Sequence, residues 1–150
     1  MWVNVYGVSE RYLNVYGEKD LRAQMNQFFH RTYTHPVDGT TLDMKMLCNW
    51  YWYDETDILE TGKGTKDWNF YRYAETLLSA AEAIAQSSGV NAEAAGYLAQ
   101  VKARANMEGK DVSTIASELQ RLGKQAFIEE CWKERLREFP LEMKIWDDCV

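Results

Sequence analysis

Apolar residues in the second half of the chain recur every three or four positions, which is the spacing of one helix face. Two such runs predict helices over 71–87 and from the N-cap Asn91 to about residue 105. Gly89 stands between them, where glycine suits the left-handed position that ends many helices. The connection is so short that the two helices are expected to pack antiparallel. Their apolar positions are Ala74, Leu77, Leu78, Ala81, Ile84 and Ala85 in the first run, and Ala94, Tyr97, Leu98, Val101 and Ala105 in the second.

Two more helices are predicted downstream of this hairpin. Ser113 or Thr114 is expected to cap a third helix, which carries Ile115, Leu119 and Leu122. A fourth runs over 124–139 and stops at Pro140, because proline cannot continue the hydrogen-bond ladder. Its apolar side is predicted to carry Phe127, Ile128, Cys131, Trp132 and Leu136. A single helical hairpin cannot bury its own faces. Residues 1–66, the C-terminal helix or a segment outside this chain is therefore expected to cover it.

The first part of the chain has a different pattern. Residues 1–66 are rich in Tyr, Trp, Thr, Gly and Asp and predict loops, short strands and one helix over 19–29. The apolar-aromatic run 47–53 predicts a strand, and the glycines of 62–64 predict a turn. We therefore divide the chain into a loop-rich aromatic segment, 1–66, and a helical region, 67–150.

Composition narrows the class of protein. The 150 residues suit one compact domain, and the formal charge of −6 with no basic run disfavours nucleic acid as a partner. The N-terminus lacks a secretion signal, so the protein is either cytosolic or a fragment of a longer secreted protein. Because the chain ends on a half-apolar segment, we expect a fragment. Cys48, Cys131 and Cys149 form no CxxC pair and no cluster with histidine, so we interpret them as small hydrophobic residues.

Aromatic residues are the best ligand candidates, because indole and phenol rings offer flat faces that stack on the CH-rich faces of sugars. The candidate sugar-binding residues are Trp50, Tyr51, Trp52 and Tyr53. In a strand, the two Trp side chains would point to one face and the two Tyr side chains to the other. Two alternatives stay open, namely core packing and contact with a part of the protein outside this chain. Trp68, Trp132 and Trp146 adjoin the helical runs and are predicted to lie in the core.

A small acidic group follows these aromatics. Asp54, Glu55 and Asp57 carry oxygen ligands at the close spacing that calcium prefers. They lack the pattern of an EF-hand loop, so a solvated acidic turn is the favoured interpretation. We expect no cofactor.

Three sequence blocks carry a family resemblance. Residues 71–83 read YRYAETLLSAAEA, residues 97–105 read YLAQVKARA, and residues 134–142 read ERLREFPLE. In order and spacing these blocks resemble signatures of the SusD/RagB family, as does the DLR of residues 20–22. The chain resembles the C-terminal region of that family.

The resemblance implies a mainly α fold, SusD-like, with a tetratricopeptide-like helical hairpin, extended loops and little β structure. It also implies a glycan-binding lipoprotein of the outer membrane, surface-exposed and lipid-anchored through an N-terminal part. The implied partners are oligosaccharide and a TonB-dependent SusC-like barrel transporter. The expected function is glycan capture for uptake, without enzymatic activity. The alternative is a helical tetratricopeptide-like module that binds another protein.

Charged residues within the matched blocks have two interpretations. A pair of carboxylates could act as acid and base on a glycosidic bond. Acid and arginine alternate along these helices, however, and such alternation is typical of ion pairs that join helices. We predict structural ion pairs for Arg72, Glu75, Glu82, Arg104, Glu134, Arg135, Arg137, Glu138 and Glu142, and no catalytic or metal-binding residue.

Overall fold

The structure, a computed structural model, describes residues 7–140, 142 and 144, with the backbone alone at Asp57 and Ile58. Its elements are α1 (Glu10–Leu13), a 3-10 turn (Leu21–Ala23), β1 (Phe29–Thr34), β2 (Thr41–Asn49), α2 (Glu55–Thr61), α3 (Tyr73–Ser88), α4 (Ala92–Ala103), α5 (Val112–Leu119) and α6 (Lys124–Glu138). The predicted fold class, mainly α with little β structure, is confirmed. The chain forms two compact units. We call residues 1–18 with Arg22–Trp68 the aromatic unit, and Lys19–Leu21 with Asn69–Val150 the helical unit.

The predicted hairpin of α3 and α4 forms the centre of the helical unit. Asn91 caps α4 as expected, since its side-chain oxygen accepts the Ala94 N–H at 2.9 Å. Small side chains such as Ala81 and Ala95 are fully buried, which lets the two helices approach closely. Gly89 ends α3 with φ 85° and ψ 176°. That φ favours glycine, as predicted, but the ψ value differs from the left-handed helical one.

The other two long helices cover the hairpin. α5 packs on α4, and α6 packs on α3. Together they enclose one hydrophobic core, built from Leu77, Leu78, Ala81, Ala85, Ala94, Ala95, Leu98, Ala99, Val101, Ile115, Leu119, Phe127, Ile128, Cys131 and Phe139. The sequence left open which of three segments covers the hairpin. The structure shows that the C-terminal helix, α6, covers part of it.

Two details of these helices differ from the predictions. α5 is capped by Asp111 rather than by Ser113 or Thr114, because the Asp111 carboxylate accepts the Thr114 N–H at 2.8 Å. Trp132 does not lie on the buried side of α6 but is 46% exposed, so its predicted core position is wrong. Its indole N–H finds a partner at the surface, where it donates to Glu82 at 3.0 Å. Trp146 lies outside the described residues.

The aromatic unit contains an irregular β-hairpin. β1 and β2 pair antiparallel, but His30 faces Cys48 while Thr32 faces Asp43, so β2 carries extra residues between these two pairs. Lys45, within the extra stretch, has a φ of 63°, and its N–H donates to the Asp43 carboxylate at 2.8 Å. Such a bulge bends the strand and re-aims the side chains beyond it.

The prediction of a helix over 19–29 is wrong. Lys19 and Leu21 instead form backbone hydrogen bonds with Met107 and Ala105 at 3.0 and 2.8 Å. Asn26 has a φ of 60°, which a right-handed helix does not accommodate. Long-range pairing has therefore replaced a locally allowed helix.

The strand predicted over 47–53 is correct only at its start. β2 ends at Asn49, whose side-chain oxygen accepts the Tyr51 N–H at 2.8 Å and turns the chain. The Tyr53 N–H then donates to the Trp50 carbonyl at 3.0 Å. Residues 50–53 therefore form a turn, and the predicted alternation of Trp and Tyr between two faces does not apply. The turn predicted at 62–64 is present, with Gly62 at φ 70°.

Candidate functional site

The four candidate sugar-binding residues divide into two groups of rings. Trp50 stacks on His30 and on Tyr53, with ring centroids 4.3 and 4.6 Å apart. Tyr53 in turn donates its hydroxyl hydrogen to Tyr33 at 3.1 Å. Burial raises the pKa of the Tyr53 phenol, and the hydrogen bond to Tyr33 raises it further. These rings stack on one another and form hydrogen bonds with one another, as aromatic residues do when they pack in a fold.

The second group leaves a ring face open. Trp52 stacks on Trp68 with centroids 4.8 Å apart and planes 26° apart, and Tyr51 stands nearly perpendicular to Trp52 at 4.9 Å. Trp68 is 51% exposed, so its predicted core position is wrong. It lies in the segment after α2, where every residue from 62 to 71 is exposed. Sequence analysis missed it as a ligand candidate, because its partner ring is sixteen positions away in the chain.

Lys66 contacts the same group. Its ammonium nitrogen lies 4.8 Å from the centre of the Tyr51 ring and donates to the Tyr51 carbonyl at 2.5 Å. A cation over an aromatic face is attracted by the ring quadrupole. Lys66 therefore ties the segment that carries Trp68 to the turn that carries Trp52.

The predicted ion pairs of the helical unit centre first on Arg72. Its guanidinium forms a fork with the Glu142 carboxylate at 2.9 and 2.7 Å, and it donates to Glu138 at 3.0 Å. Arg104 also pairs with Glu138. Burial by itself would lower the pKa of Arg72, but the hydrogen bonds that it donates to Glu142 and Glu138 outweigh burial and raise that pKa. The N-terminus of α3 is thereby fixed to the end of α6.

A second set joins α4 to α6. Arg137 contacts Glu130 and Glu134, each at 2.9 Å, and Lys102 pairs with the same two carboxylates. Burial by itself would raise the pKa of Glu130, yet Lys102 and Arg137 outweigh it and hold that pKa below its ordinary value. The sequence analysis did not select Lys102 or Glu130. Their positions 28 residues apart gave no local signal of pairing.

The third set involves Glu75. Its carboxylate lies 3.1 Å from the Lys144 ammonium and 3.9 Å from the Arg135 guanidinium. Glu82 was also predicted in an ion pair, but it forms none with another residue of the described ranges 7–140, 142 and 144. It accepts hydrogen bonds from the Trp132 indole and from Gln86 at 3.0 and 2.8 Å. The spacing of Arg72 and Glu75 on one helix likewise does not produce a pair, because Arg72 contacts Glu138 and Glu142 instead.

The chain matches a known protein family. The SusD family model matches residues 10–150 of the chain. The chain belongs to the SusD family. A similar solved structure is that of a SusD superfamily protein from Parabacteroides distasonis ATCC 8503, with a TM-score of 0.76 and 25% sequence identity. The likeness covers 93% of this chain and 30% of that one, so the chain spans under a third of the length of that protein. No curated protein matches this chain.

The described residues contain no group of His, Cys, Asp and Glu side chains placed to hold a metal ion. The side chain of Asp57 lies outside them, so the interpretation of Asp54, Glu55 and Asp57 stays a prediction. Cys48 and Cys131 are buried free thiols, and burial raises the pKa of Cys131 to about 12. Cys149 lies outside the described part. No described helix combines the length and apolar character needed to span a membrane.

Proposed function

We propose that this chain is the C-terminal region of a SusD-type protein that captures glycan and delivers it to a TonB-dependent SusC-like barrel transporter. The observation that carries this proposal is the match of the SusD family model to residues 10–150. In this proposal the full-length protein lies at the surface of the outer membrane, held by a lipid anchor on its N-terminal part.

The helical unit supports binding rather than catalysis. The buried carboxylates of Glu134, Glu138 and Glu142 all contact basic side chains within 3 Å. These residues act as a scaffold that fixes α3, α4 and α6.

The aromatic unit supplies the contact surface in this proposal. Trp and Tyr rings provide large, rigid faces, so little conformational entropy is lost when a sugar stacks on them. The candidate residues Trp50, Tyr51, Trp52 and Tyr53 all lie half-buried in one turn.

Isothermal titration of the full chain with a panel of oligosaccharides tests the proposal. We expect a weak but saturable signal with at least one glycan, and loss of most of that signal in the Trp52→Ala variant. The matched control is Trp132→Ala, because Trp132 is an exposed tryptophan on α6 of the helical unit. Absence of binding to every glycan, with native circular dichroism, would contradict the proposal.

The alternative is a helical tetratricopeptide-like module that binds another protein. Phe70, Tyr71 and Tyr73 at the start of α3 favour it, since they are 74%, 74% and 73% exposed. Adjacent exposed rings are common in protein interfaces. Capture of a soluble partner, lost in a Tyr71→Ser/Tyr73→Ser variant, would support this alternative. Capture of a barrel transporter would favour the first proposal.

A further inference from the structure

The Trp52–Trp68 pair has one open ring face. One face of the Trp68 ring is covered by Trp52 at 4.8 Å, yet 51% of the residue is exposed. The uncovered face of Trp68 therefore points to solvent. Trp50 differs, because it stacks on both His30 and Tyr53.

The position of this face is fixed by contacts within the aromatic unit. Trp68 is held by the stack on Trp52, and Lys66, two positions earlier, is held to Tyr51 by a hydrogen bond of 2.5 Å. The same ammonium lies over the Tyr51 ring at 4.8 Å. Two tethers on one short segment reduce the conformational freedom that a ligand would otherwise have to remove. The exposed ring is thus a preorganised platform about one sugar ring wide.

The chain segment that carries the platform is acidic in sequence. Residues 50–68 contain five acidic residues and two basic ones, for a formal charge of −3. Asp67 adjoins Trp68 and is exposed. One of the two basic groups, Lys66, already donates to a carbonyl and covers a ring. A carboxylated or sulfated sugar on this platform would meet net repulsion.

We propose that Trp68, stacked on Trp52 and positioned by Lys66, is the ligand-facing ring of a platform that takes uncharged sugar rings and rejects anionic ones. This inference rests on the proposed function, because it names the ligand class of a glycan-binding protein. It adds a residue outside the four that the sequence singled out.

The experiment is isothermal titration of the full chain with two sets of oligosaccharides of equal length. The neutral set is maltohexaose, cellohexaose, xylohexaose and mannohexaose, and the anionic set is hexagalacturonate, an alginate hexamer and a chondroitin sulfate hexasaccharide. We expect binding within the neutral set alone. Since no charge pair is involved, its affinity should stay constant between about 0.05 M and about 0.5 M salt.

Variants then test the residues. Trp68→Ala should weaken neutral binding about tenfold, the loss of one stacking contact, while Trp68→Phe should lose less. Trp132→Ala is the matched control and should bind as the unchanged chain does. Lys66→Met should weaken binding and Lys66→Arg should restore it, as expected for a positioning residue. Asp67→Lys should leave neutral binding intact and raise affinity for hexagalacturonate.

The outcomes separate the two proposals. If no oligosaccharide binds, the proposed function falls and this inference falls with it. If an anionic oligosaccharide binds more tightly than every neutral one, glycan binding stands and the inference is overturned. Neutral binding that is unchanged in both Trp68 variants would likewise overturn the role of Trp68 while leaving glycan binding in place.

Discussion

In the helical unit, carboxylates of α6 are buried and paired while the aromatic rings before α3 are exposed. In the aromatic unit the rings stack on one another, and the acidic and basic residues of 59–67 lie at the surface. Buried charge is expensive unless it is paired, so its presence fixes which helices contact each other. A stacked ring can stay partly exposed, as Trp68 does beside Trp52. The helical unit is therefore held together by paired charges, whereas the aromatic unit is held together by stacked rings, one of which, Trp68, is half-exposed.

The largest expected effect comes from breaking the buried charge network. Glu138→Ala removes a carboxylate that is 3% exposed and that contacts Arg72 and Arg104. Because Arg72 keeps Glu142 and Arg104 is 58% exposed, the free energy of unfolding should fall by about 3 kcal/mol, the lower end for a broken buried ion pair. The control is Glu129→Ala on the exposed side of α6, expected within about 0.5 kcal/mol of the unchanged chain. Urea unfolding followed by circular dichroism measures both, and equal costs would contradict the structural role of Glu138.

Overpacking the hairpin should have the next largest effect. Ala81→Leu forces extra volume into a fully buried position of α3 and should cost about 1–3 kcal/mol. Ala83→Leu, on the exposed face of the same helix, is the matched control and should be nearly neutral. The same unfolding measurement serves here. Unchanged stability of the Ala81→Leu variant would show that α3 and α4 do not need close approach.

A third variant pair tests the two groups of rings in the aromatic unit. Trp50→Ala removes stacking on two neighbouring rings, His30 and Tyr53, and should cost about 1–2 kcal/mol of local stability. Trp68→Ala removes one half-exposed ring and should cost about 0.5 kcal/mol or less. Hydrogen exchange of the β1 and β2 amides measures the local opening. A larger loss in Trp68→Ala would reverse our assignment of packing and platform rings.

The smallest expected effect is a change in pH dependence. The folded-state pKa of Glu130 is depressed, so its ion pairs stabilise the fold above the ordinary value of 4.5 and that stabilisation is lost as pH falls below it. Glu130→Gln should therefore lower stability near neutral pH and flatten the decline on the acid side. Glu129→Gln, its exposed neighbour, should leave the slope unchanged. Thermal unfolding over an acid pH series distinguishes these results.

Residue spacing and residue type were sufficient to predict those elements in which residues close in sequence are also close in space. The stripes of α3 and α4, the cap at Asn91 and the stop at Pro140 were all predicted from spacing and residue type. The helix over 19–29 failed because its backbone groups bond to residues 105–107 instead. The predicted core positions of Trp68 and Trp132 were wrong. An aromatic residue beside a helical run can face the core or the solvent, and a short sequence pattern does not determine which.

The candidate site shows the same division. Sequence composition and resemblance selected residues 50–53 and the acid–arginine blocks. The partner of each charge came only from the structure, as with Arg72, which contacts Glu138 and Glu142 some seventy residues away. Lys102, Glu130 and Lys144 entered the network for the same reason.

The sequence by itself determined the family, the helical hairpin and the residue types that hold it, because those depend on short-range periodicity and on three recognisable blocks. Tertiary structure decided which tryptophans are exposed, which charges meet and where the strand turns. Stacking and ion pairing act over a few ångströms in space between residues far apart in the chain. Only the folded arrangement brings Trp52 to Trp68.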